Sequence, residues 1–79
     1  MSKEEIFEMM KENISEIIPE IDVDSIDMQD SLKELGINSI DRMDIIVDTM
    51  EALNLRLPMV KFGRLKNIEE IIMTFMEEL

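Results

Sequence analysis

Seventy-nine residues, 46% of them apolar, supply one modest hydrophobic core and no more, so residues 1–79 are expected to form a single domain. Nineteen acids against eight bases leave a net charge of −11, which repels nucleic acid and anionic lipid and favours protein partners with basic surfaces. With no Cys and no His, the chain has no disulfide framework, thiolate nucleophile, Cys/His zinc site or Ser-His pair, and self-contained catalysis is not expected.

At the N-terminus, Lys3-Glu4-Glu5 stands where a signal peptide would place positive charge ahead of an unbroken apolar stretch. No apolar run reaches the roughly 18 residues of a bilayer span, so a cytoplasmic chain is expected. Ser2 and Glu5 form the S-x-x-E pattern of a capping box, followed by Ile6, Phe7, Met10, Ile14, Ile17 and Ile18 at helical spacing. This predicts a first helix that Pro19 ends. From Glu20 to Asn38 the apolar residues are too sparse for another long helix. Ile21, Val23, Ile26, Met28, Leu32, Leu35 and Ile37 are instead spaced as anchors for a long loop strapped across the core. Within it, Asp30-Ser31-Leu32 starts a short helical turn that Gly36 closes.

A second long helix is predicted from Ser39 to about Leu53, with Asn38 as its cap, accepting from the backbone N–H near Asp41. Asn54 to Pro58 connects, Lys61 to Lys66 fits a short third helix, and Asn67 with Glu70 resembles another capped start. The last helix carries Ile68, Ile71, Ile72, Phe75, Met76 and Leu79 on one stripe. The expected class is all-α: a small four-helix bundle of three main helices and a short third one, with a long loop between the first two.

The second helix is unusual. At 100° per residue, Asp41, Asp44, Asp48 and Glu51 fall within roughly an 80° arc, one acidic stripe. Ile45, Ile46 and Leu53 form one apolar group and Ile40, Met43, Val47 and Met50 another. Together they cover roughly 220°, against about 100° for a single core contact. One group is therefore a candidate exposed strip, rimmed by acids that would steer a partner while the apolar area holds it. The bland alternatives are a solvated acidic face and a loop that covers the second strip.

The segment Leu35-Gly36-Ile37-Asn38-Ser39-Ile40-Asp41, preceded by Asp30-Ser31-Leu32 and followed by a Leu57-Pro58 connector and a closing amphipathic helix, resembles the acyl carrier protein family. The resemblance implies a 4'-phosphopantetheine arm, taken from coenzyme A, on the matching residue Ser39. It also implies that Asp41, Asp44, Asp48 and Glu51 are recognition acids, and that Ile40, Met43 and Val47 are apolar positions beside the arm. A hydroxyl at a helix N-terminus suits the resulting phosphodiester, because free N–H groups and the helix dipole favour an anion there. Cysteine is absent, so the arm would supply the sulfur for thioesters, and nothing stands out as a general base, so a separate phosphopantetheinyl transferase would modify the serine. The other partners implied are an acyltransferase and a ketosynthase or hydroxymethylglutaryl-synthase-like enzyme, with the carrier itself a monomer.

Two departures matter. Asn38 stands where many family members have Asp, removing a charge but keeping a cap. Arg56, Lys61, Arg64 and Lys66 make a locally basic patch where fatty-acid carriers have an acidic third helix. The run Asn54-Leu55-Arg56-Leu57-Pro58 with Lys66-Asn67-Ile68 looks like free-standing carriers of bacterial polyketide pathways, especially acetyl-donor carriers of β-branching cassettes. An aminoacyl carrier of the D-alanyl or peptidyl type shares the serine motif and stays open. So does a reading of another class, a helical adaptor with no prosthetic group, in which Ser39 is only a cap-region residue. A calcium loop over Asp22, Asp24, Asp27 and Asp30 fails on spacing, because the fifth, sixth and twelfth places hold Ile26, Asp27 and Lys33.

Overall fold

A computed structural model describes residues 1–79. Three α-helices, α1 (Lys3–Ile17), α2 (Ser39–Ala52) and α3 (Ile68–Glu77), are joined by irregular chain containing two short 3-10 turns, Val23–Ser25 and Met59–Phe62, and there is no strand. Each α-helix starts on the residue that its local chemistry selects. The Ser2 side chain accepts from the Glu5 N–H while Glu5 accepts from the Ser2 N–H, the reciprocal capping box. Asn38 Oδ1 accepts from Asp41 N–H and Asn67 Oδ1 from Glu70 N–H, both at 2.9 Å.

The stops are equally local. Gly36, at φ +85°, closes the turn begun at Ser31, with Ile37 N–H bonded to Leu32 O and Gly36 N–H to Lys33 O. Asn54, at φ +58°, closes α2 in the same way, with Leu55 N–H bonded to Met50 O and Asn54 N–H to Glu51 O. Both are paired-bond Schellman closures, which need a residue that tolerates left-handed backbone at their centre.

The expected third helix over Lys61 to Lys66 is a single 3-10 turn at Met59–Phe62. Pro58 fixes the backbone one residue ahead and starts the turn early. Gly63 then interrupts a segment too short to repay helix nucleation. The molecule is therefore three α-helices plus this turn.

One core holds the elements together. Ile6, Met10 and Ile14 of α1, Ile45, Ile46 and Met50 of α2, and Ile68, Ile71, Ile72 and Phe75 of α3 are all buried. Helix α1 packs against both α2 and α3, and Phe62 meets Phe75 with ring centroids 5.4 Å apart. Of the predicted stripes, Phe7, Ile17, Ile18 and Met76 are half-buried, and Leu79 is 57% exposed because α3 ends before it. The methionines divide: Met10 and Met50 are core, whereas Met43 and Met73 are exposed.

The long loop is strapped down as its apolar spacing predicts. Ile26, Leu32 and Ile37 are buried, and Ile21, Val23, Met28 and Leu35 pack against the core. It also serves α3 directly, since the Asp30 and Met28 carbonyls accept from the Ile68 and Glu69 N–H groups at 3.0 and 2.9 Å. These donors at the helix start would otherwise lack partners. Gln29 donates to the Glu69 carboxylate and Lys3 pairs with it at 3.1 Å, together holding Glu69 below the usual carboxylate range. The loop acids that invite a calcium reading are engaged in turns: Asp22 accepts from Asp24 N–H and Asp30 from Asp27 N–H.

Candidate functional site

Ser39 is the first residue of α2, exposed, and placed by two adjoining devices: the Gly36 closure behind it and the Asn38 cap beside it. Its hydroxyl makes no hydrogen bond within the chain, unlike that of Thr49 on the same helix, which bonds the Ile45 carbonyl at 2.8 Å. Ser39 and Ile40 N–H are likewise free, because the Asn38 side chain serves Asp41 N–H and Asn38 O serves Arg42 N–H. At α3 the loop carbonyls fill the corresponding places. The start of α2 thus combines a reachable hydroxyl, unused donors and the positive end of a 14-residue helix. That donor set fits a phosphodiester on the serine.

Arg42 escapes a motif-based reading. Its Nη1 donates to Ile37 O at 2.6 Å, tying the first turn of α2 to the backbone just ahead of Ser39. The only signal in the sequence is geometric: Arg42 falls on the core-facing arc between the directions of Ile45 and Ile46, where a cation needs a reason to be.

The acidic stripe is present, with Asp44, Asp48 and Glu51 exposed. Asp41 is half-buried and partly committed to the cap, its carboxylate accepting from Asn38 Nδ2 at 3.2 Å. The second apolar strip is exposed only at its N-terminal end. Ile40 is 71% and Met43 49% exposed, Val47 is half-buried, and Met50 is buried in the core. The connector after Asn54 folds back along α2, and Leu55, Leu57 and Arg56 form a groove with Val47 and Met50. An apolar foothold therefore remains next to Ser39, flanked by acids. No helix in the molecule is long and apolar enough to cross a membrane.

Comparison with known proteins agrees with this arrangement. A family model described as a phosphopantetheine attachment site matches residues 10–74. A polyketide biosynthesis acyl carrier protein, AcpK of Bacillus subtilis (strain 168), is 41% identical over 71 residues, covering 90% of this chain and 87% of that protein. A crystal structure of the curacin biosynthetic pathway HMG synthase in complex with acetyl donor-ACP contains a chain that superimposes with a TM-score of 0.84. That match is 40% identical and covers 95% of this chain and 96% of that one. Members of this family carry 4'-phosphopantetheine and are non-catalytic substrates of a phosphopantetheinyl transferase. With the family model spanning α2 and most of the core, and a relative of this identity over nearly the whole length, the chain belongs to the phosphopantetheine-dependent acyl carrier proteins.

Proposed function

We propose that this protein carries its 4'-phosphopantetheine on Ser39 and delivers acyl groups to polyketide enzymes, an acetyl unit to an HMG-synthase-like partner foremost among them. The exposed, unbonded Ser39 hydroxyl at the open N-terminus of α2 carries the reading. When bound, the arm supplies a thiol for thioester formation and the reach to bring cargo to successive enzymes. The chain's own residues do the rest. Asn38 and Arg42 hold the first turn of α2 in place, the Ser39 and Ile40 N–H groups meet the phosphate, and Asp44, Asp48 and Glu51 steer basic surfaces toward Ile40 and Met43. The partner class follows from the relatives, one a polyketide carrier and the other seated on an HMG synthase. A phosphopantetheinyl transferase and an acyltransferase are the further partners of this reading, with a ketosynthase as the alternative to the HMG-synthase-like enzyme.

Intact-mass measurement tests the assignment. Incubation of the unmodified chain with coenzyme A, Mg²⁺ and a broad-specificity phosphopantetheinyl transferase should add one phosphopantetheine, and Ser39→Ala should add none. A gain that persists in Ser39→Ala would move the attachment elsewhere. No gain in folded wild type would favour the adaptor reading.

A further inference from the structure

The segment from Asn54 to Asn67 contains four bases and no acid, in a chain that is otherwise strongly negative. Arg56, Lys61, Arg64 and Lys66 are all exposed, and the two ion pairs of the molecule, Lys3–Glu69 and Lys11–Glu8, use none of them. The segment runs along one flank of α2. Arg56 shares a groove with Val47 and Met50, and Lys66 and Phe62 share another with Arg42 and Ile46. On the helical wheel these α2 residues span roughly 200° to 340° from Ile40, whereas the acids occupy roughly 20° to 100°, with Glu51 the one acid that also lines the groove of Arg56.

The exposed Ile40, at 0°, therefore lies between the acidic arc and the arc bordered by the basic segment, and the exposed Met43, at roughly 300°, lies within the latter. Val60, in the middle of the basic segment, is 83% exposed, the most exposed large apolar residue of the chain. An evenly basic partner surface would gain from the acids and be repelled by the opposite flank, and juxtaposed like charges weaken association.

We propose that the enzyme receiving cargo from this carrier bears an acidic patch beside its basic docking patch, and that the acidic patch seats on Lys61 and Arg64, with Val60 at the contact. This rests on the function proposed above for its choice of partner class. The face is polarised, so it fixes the orientation of the carrier as well as its attraction.

The test uses the holo-carrier and the curacin-pathway HMG synthase as probe, with dissociation constants and association rates measured at low salt. Lys61→Glu/Arg64→Glu should weaken binding roughly tenfold, chiefly through the association rate, and Asp44→Lys/Asp48→Lys should do likewise. Both effects should shrink at roughly 0.5 M salt, where screening is strong. Circular dichroism and melting check that each variant folds; Lys61→Gln/Arg64→Gln, expected to weaken binding less, replaces a reversal that does not. Wild-type or tighter binding by the basic-flank variant, beside a weakened acid-stripe variant, would overturn this inference and leave the function proposed above standing. No binding by folded wild type would overturn both the choice of partner class and the polarised face.

Discussion

Asn38 has three tasks: its Oδ1 caps Asp41 N–H, its Nδ2 satisfies the Asp41 carboxylate, and its carbonyl accepts from Arg42 N–H. Asn38→Ala removes both side-chain bonds and should cost about 1 kcal/mol, read as a lower urea midpoint with an unchanged slope. An unchanged midpoint would show that α2 is held by packing alone. Gly36 isolates a purely conformational effect, because a Cβ there would meet nothing within 4 Å while φ stands at +85°. Gly36→Ala should therefore lose about 1 kcal/mol through local backbone strain, with no clash against the rest of the fold. A neutral result would mean that the closure relaxes to another geometry. Both residues stand just ahead of Ser39, so their variants should also show faster amide exchange in the first turn of α2.

At the scale of elements, the strap between α1 and α2 reports on itself through pH. Gln29 donates to Glu69, Lys3 pairs with it, and Asn67 Nδ2 donates to Gln29, so one carboxylate links the loop, α1 and α3. Glu69 titrates below its ordinary range when folded. Its ionised form thus stabilises the fold above the unfolded-state value, and that contribution is lost as pH falls through the lowered folded value. The gap in melting temperature between wild type and Gln29→Ala should be widest near neutral pH and close in acid. A gap independent of pH would assign the role of Gln29 to its bond from Asn67.

For the whole molecule, a net charge of −11 acts on a body only 31 × 23 × 20 Å. Two ion pairs offset little of it. Self-repulsion destabilises the compact state, and at about 0.15 M salt the screening length is roughly 8 Å. Raising salt from about 10 mM to about 0.5 M should therefore raise the melting temperature by several degrees. A flat or falling response would show that the attraction between the basic segment and the acid-rich remainder outweighs the repulsion. The two-signed docking face proposed above would arise from the same asymmetry, so stability and recognition would draw on one charge distribution.

The sequence by itself determined the three α-helices, their caps and the position of Ser39, because these depend on interactions within a few residues. Ser2 with Glu5, Asn38 with Asp41 and Asn67 with Glu70 act across three positions, and Gly36 acts through its own φ. The family motif is legible for the same reason, since a serine behind an Asn cap and a left-handed glycine is a local arrangement. Tertiary structure alone decided which part of the second apolar strip is free. Met50 and Val47 share a helix face with Met43, yet Met50 is buried in the core and Val47 is packed against it, beside Leu55 and Leu57. It also decided that Arg42 reaches back to Ile37 O, and that the loop carbonyls of Met28 and Asp30 serve α3 while the donors at the start of α2 are left free. Those contacts join residues distant in the chain or on different elements, and periodicity along one helix carries no information about what lies across from it.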